Sequence, residues 1–130
     1  MKEVCEFLKK CQTYYISSID GDKPKVRPFG VAEIFEDKLY IQTGKKKDFY
    51  KQIEKNPNVE ICCFDGQKWL RLAGNLVNDD RVEAKKAVLD AYPMLRGMYD
   101  ENDDNTAVLY FEHAVATFSS FTEASKKVEW

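Results

Sequence analysis

Histidine is nearly absent from this chain of 130 residues, and a lone His113 excludes the His-rich clusters that catalytic zinc or non-haem iron requires. Cysteine is sparse and wrongly spaced for a metal. Neither the gap between Cys5 and Cys11 nor the vicinal pair Cys62 and Cys63 follows the C-x2-C pattern of a structural zinc site, so no metal is expected. No apolar run approaches the ~18 residues of a membrane span, and Met1 to Lys10 is too charged for the apolar stretch of a signal peptide. The expectation is a soluble, cytoplasmic protein with reduced thiols, Cys62 and Cys63 acting as small buried hydrophobes of an apolar run. Net charge is lacking as well. Lys+Arg at 20 against Asp+Glu at 22 leaves -2, which disfavours nucleic acid as a partner. There is no Ser-centred elbow, no glycine-rich phosphate loop and no H-E-x-x-H, so hydrolase, P-loop and metalloprotease chemistry lack their motifs.

What is present fits one domain covering residues 1–130, because the length lies near the usual domain size and the 44% hydrophobic content can fill a core. Lys2 to Cys11 places Val4, Phe7, Leu8 and Cys11 on one helical face. Thr13 to Ile19 reads as a strand turning at Asp20-Gly21-Asp22 into a second, irregular strand from Lys25 to Phe35, whose Pro28 and Gly30 suit an edge. Lys38 to Thr43 is a third strand. After Gly44 and three lysines, Phe49, Tyr50 and Ile53 have helical spacing up to Pro57. Val59 to Phe64 and Lys68 to Val77 form a hairpin about Asp65-Gly66, and Asn78-Asp79-Asp80 can cap a helix ending near Pro93. An acidic surface loop, Asp100 to Asn105, leads to two last strands, Thr106 to Glu112 and Ala114 to Phe121, and a polar tail. No regular βαβ repeat occurs. The order favours a mainly β protein with peripheral α-helices, a small antiparallel barrel rather than a doubly wound sheet.

Lys45-Lys46-Lys47 follow a strand and open a helix, where free backbone N–H groups and the positive dipole end also favour an anion. Taken alone, three adjacent lysines are more often a solvated loop. Arg27 would clamp a phosphate bidentately beside Pro28 and Gly30, or would pair across strands with a carboxylate. Trp69 and Arg71 share a strand face at period two, where they would cover a ring or a partner subunit, or pack on each other. His113 has no partner that would make it a base. No catalytic side chain is singled out, so a cofactor would carry the difficult step.

Taken in order, Tyr14 to Ile19, Asp20-Gly21, Arg27-Pro28-Phe29-Gly30, Leu39-Tyr40-Ile41-Gln42-Thr43-Gly44, Lys47, Gln52-Ile53 and Asn56-Pro57-x-Val59-Glu60 resemble the pyridoxamine 5'-phosphate oxidase-like flavoproteins. The resemblance continues through Trp69-Leu70-Arg71-x-x-Gly74 and Ala114 to Phe121. It implies an antiparallel split β-barrel that binds FMN as a homodimer, with flavin at the subunit interface. Arg27 with Lys46 or Lys47 would then hold the FMN phosphate, Lys47 being the better match. Pro28, Phe29 and Gly30 would lie along the isoalloxazine, Gln42 and Thr43 would bond ring or ribityl oxygens, and Trp69 and Arg71 would come from the other subunit. The long C-terminal region of the vitamin-processing oxidases is missing, so the family name does not fix the reaction. The implied activity is an FMN-dependent oxidoreductase acting on a small molecule. The alternatives are a non-enzymatic module binding flavin, haem or another anion, and an interaction protein whose barrel has lost its ligand.

Overall fold

A computed structural model describes the whole chain, Met1 to Trp130. Helix α1 (Lys2–Cys11) precedes the strands β1 (Tyr14–Asp20), β2 (Lys23–Phe29), β3 (Glu33–Phe35) and β4 (Lys38–Gly44). Helix α2 (Asp48–Lys55) leads to β5 (Asn58–Phe64) and β6 (Lys68–Asn78). Helix α3 (Val82–Ala91), a 3-10 turn at Pro93–Gly97, β7 (Thr106–Ser120) and β8 (Lys126–Glu129) complete the chain. Every pairing is antiparallel, in the order β2-β1-β5-β6-β7-β4-β3 with β8 added to β7. The terminal strands β2 and β3 do not pair with each other, so the barrel stays split. No helix is long and apolar enough to cross a membrane.

Period-two alternation divides the side chains between two apolar clusters. Ile16, Leu39, Ile41, Ile61, Leu70, Leu72 and Phe111 turn inward and meet Val4 and Leu8 of α1 and Phe49 and Ile53 of α2. Tyr40 and Val108 face the other way, under Ala84 and Val88 of α3. Each fully buried aliphatic chain contributes about 1.5–3 kcal/mol relative to exposure, so these positions dominate the fold's stability.

Five local readings of the sequence change. Lys25 to Phe35 is two strands, because the chain leaves β2 at Gly30 and buries Val31 and Ala32, whose backbone is held by Tyr92 Oη at 3.2 and 3.0 Å. A Cβ on Gly30 would lie 3.3 Å from the Gln12 carbonyl oxygen. The two last strands are one, β7, kinked at His113 with φ 53, where its register with β6 shifts around Gly74. A Cβ on Gly74 would meet the Glu112 carbonyl oxygen at 3.2 Å, so glycine lets the kinked strand approach. The polar tail becomes β8, and Trp130 continues it by exchanging backbone hydrogen bonds with Ala114 at 2.7 and 3.1 Å. Asn78, Asp79 and Asp80 do not cap α3; Arg81 holds the N-cap position, and no side chain makes a capping bond there. Asp79 instead accepts the Tyr40 hydroxyl at 2.7 Å and the Arg81 guanidinium at 2.9–3.3 Å, while Arg81 also grips Glu36 at 2.8 Å. Cys62 is exposed, since alternation turns it outward while Cys63 turns in; all four thiols are free.

Candidate functional site

Arg27 lies opposite Ile16, an inward-facing residue, so the edge strand β2 delivers a guanidinium to the side of the sheet that α2 covers. Nη1 donates to Ser18 Oγ at 2.8 Å and to the Ile16 and Lys25 carbonyls at 3.3 and 3.4 Å. Nη2 donates to Gln52 Oε1 at 3.0 Å, and the buried Ser18 hydroxyl donates to that same oxygen. The Phe49 ring lies against the guanidinium, 4.8 Å from centroid to Cζ. Arg27 has no carboxylate partner. Burial holds its pKa below the ordinary value, with no anion raising it.

Arg27, Pro28 and Phe29 of β2 line an open cleft of about 560 Å³ with Lys47, Asp48, Phe49 and Gln52 at the start of α2. Lys25 and Asp20 stand on its rim, so three cations oppose two carboxylates. Lys47 is the N-cap residue of α2, and no side chain caps the free N–H groups behind it. The acidic loop braces the lysine segment: the N–H groups of Lys45 and Lys46 donate to the backbone and side-chain oxygens of Asn105 at 2.7 and 3.0 Å. Lys45 pairs with Asp80 at 2.9 Å, leaving Lys46 and Lys47 exposed and without ion pairs.

The remaining expected site residues are distributed around this cleft. Phe29 packs edge-on against Phe49 at 4.9 Å, and Gly30 stands exposed at the end of β2. Lys46 does not line the cleft. Gln42 and Thr43 are buried in β4 on opposite faces of that strand and do not line it either. Gln42 donates to the Thr43 carbonyl at 3.1 Å, whereas Thr43 Oγ1 is a buried hydroxyl with no partner.

Trp69 and Arg71 lie on the other face of the sheet. Pro28, Tyr15, Cys62 and Arg71 form one register row that points outward, and the next row, with Arg27, Ile16, Ile61 and Leu72, points in. Within one chain, Trp69 and Arg71 therefore cannot reach the Arg27 cleft. Arg71 is held by Glu60 at 2.6–2.7 Å, and Trp69 packs on Phe121 at 5.0 Å. Tyr15, Val26, Phe64 and Phe121 are exposed on this outer side. His113, with its side chain 79% exposed at the β7 kink, is apart from the cleft. Ser18, Phe49 and Gln52 were not anticipated as part of the site. Their signals were weak: Ser18 follows Ile16 at period two, and Gln52 lies on the short helix that Lys47 opens.

Residues 1–118 match the sequence profile of the pyridoxamine 5'-phosphate oxidase family. The chain belongs to that family. A NimC/NimA family protein from Clostridium acetobutylicum is 41% identical and superimposes with a TM-score of 0.97 over 100% of this chain and 92% of that one. A pyridoxamine 5'-phosphate oxidase-related, FMN binding protein from Nostoc punctiforme PCC 73102 shares the fold at 13% identity, with a TM-score of 0.63 over 99% and 95% of the two chains. A heme binding protein from Mycobacterium smegmatis shares it at 10% identity and TM-score 0.71, over 96% of this chain and 57% of that one. No curated protein matches the sequence.

Proposed function

We propose that this protein binds FMN as a homodimer and acts as an FMN-dependent oxidoreductase on a small molecule. The observation that carries the reading is the Arg27 guanidinium, half-buried, free of carboxylates and lining the same cleft as Lys47. The residues present fit the group at its phosphate end. Each charge-assisted hydrogen bond to a phosphate contributes about 1.5–3 kcal/mol, and Arg27, Lys47 and the uncapped start of α2 offer several such donors. Lys46 adds long-range positive charge from the neighbouring loop. The open edge at Pro28, Phe29 and Gly30 gives a flat ring access to the main chain, and Thr43 Oγ1 is a polar atom that lacks a partner within the chain. Gln42 faces away from Thr43 on β4, so one chain does not bring both to the same flavin oxygens.

Trp69 and Arg71 belong to this reading only through a second copy, because their sheet face is opposite to that of Arg27. The exposed apolar side chains around Trp69 suit that dimer contact. Bound FMN would supply reversible two-electron transfer, while the chain binds the phosphate, supports the ring and limits its exposure to water. Purified protein mixed with FMN should turn yellow, resist heating and elute as a dimer in light scattering. A colourless sample with an unchanged melting temperature would overturn the reading, since a ligand bound only to the folded state must stabilise it.

A heme binding protein of the same fold motivates a second reading, a non-enzymatic module for flavin, haem or another anion. Reduction of bound FMN by NADH or NADPH, followed by reoxidation with turnover, separates the two.

A further inference from the structure

Ser18 and Gln52 each accept a hydrogen of Arg27, Ser18 from outside the cleft and Gln52 from its lining. A guanidinium carries five N–H donors in a planar fork. Nη1 directs its hydrogens to Ser18 Oγ and the neighbouring backbone carbonyls, and Nη2 gives one of its two to Gln52 Oε1 at 3.0 Å. Ser18 and Gln52 are hydrogen-bonded to each other, so both acceptors lie along the Nη1–Nη2 edge. Phe49 covers one face of the group. What remains is the Nε–H and the second Nη2 hydrogen, the parallel pair that a phosphate accepts bidentately.

The chemistry of the two acceptors matters as much as their position. A carboxylate at either place would fix Arg27 equally well and would cancel its charge, whereas a hydroxyl and an amide oxygen are neutral. Ser18 is buried at 2% exposure, and a serine and a glutamine there satisfy each other as well as the arginine. We infer that Ser18 and Gln52 are positioning residues that hold the Arg27 fork ready in the cleft while leaving its positive charge to the phosphate of the ligand. This rests on the reading that the cleft takes FMN.

The test titrates FMN and riboflavin, which lacks the phosphate, into the wild type, Gln52→Glu and Ser18→Ala, following flavin fluorescence and the melting temperature of the ligand-free protein. Gln52→Glu keeps the shape and adds the carboxylate, so FMN affinity falls ~10- to 100-fold while riboflavin affinity stays within about twofold and the melting temperature holds or rises. Ser18→Ala, a gentler change, lowers FMN affinity about threefold or more with the same selectivity. In an Arg27→Ala background Gln52→Glu has no further effect, as required of a residue that acts through Arg27. Parallel losses for both flavins, or unchanged FMN affinity in either variant, overturn the positioning role alone. Failure of the wild type to bind FMN overturns the underlying reading of the cleft instead.

Discussion

Two arginines in this molecule meet opposite surroundings. Arg81 is gripped by Asp79 and Glu36, its charge answered twice within 3 Å, and through Asp79 it ties the start of α3 to Tyr40 in β4. Arg27 is held almost as firmly but only by neutral oxygens, and it faces a cleft. The fold spends the first cation on itself and leaves the second for something else. Anchoring and charge neutralisation are separable, and the separation marks the binding site better than the number of cations does. The three adjacent lysines make the same distinction on a smaller scale, since Lys45 is paired with Asp80 while Lys47 remains unpaired at the cleft.

Substitutions at the two arginine sites should therefore diverge. Arg27→Ala is expected to weaken FMN binding ~100-fold or more, with a change in unfolding free energy below about 1 kcal/mol. Asp79→Ala should do the reverse, destabilising the chain by about 3 kcal/mol in denaturant unfolding with FMN affinity preserved. The same pair differs in response to acid. Arg81 holds the buried Asp79 carboxyl down at about 2 in the folded chain, against an unfolded value near 3.8. A carboxyl depressed on folding stabilises above its unfolded pKa, so this contribution is complete above about pH 5 and is lost as pH falls from about 4 to 2. It amounts to about 2 kcal/mol, and Asp79→Asn should remove that portion of the acid sensitivity. Lys47→Ala should cost a smaller ~10-fold in FMN affinity, since an exposed point charge is more strongly screened than the arginine fork. Arg71→Ala should change stability by less than about 1 kcal/mol, because the Arg71–Glu60 pair is largely exposed. A several-fold loss of FMN affinity in that variant would place Arg71 at a partner's cleft; unaltered affinity would leave it a surface pair.

The architecture was legible where patterns were regular. Alternation in Lys38 to Thr43 and the helical spacing of Phe49, Tyr50 and Ile53 placed β4 and α2 within a residue or two. The misreadings occurred where local chemistry overrides alternation. The positive φ of His113 breaks the period of β7 without ending the strand, and β8 is held by ladder hydrogen bonds and by Trp130 rather than by an apolar run. Arg27 was visible as a candidate because charge beside a glycine- and proline-bearing edge is unusual, and Lys47 because its lysine run follows a strand and opens a helix. Ser18 and Gln52 were not, since they lie 34 residues apart and become neighbours only when α2 packs over β1. The opposite facing of Arg27 and Arg71 likewise depends on register across four strands, which no single segment encodes.

The most direct test is an FMN titration of the wild type and Arg27→Ala side by side, followed by flavin fluorescence. The expected result is saturable binding at one flavin per chain in the wild type and affinity at least ~100-fold weaker in the variant, with both proteins melting within a few degrees of each other. Equal affinity in the two proteins would contradict the claim that the uncompensated arginine is the phosphate site.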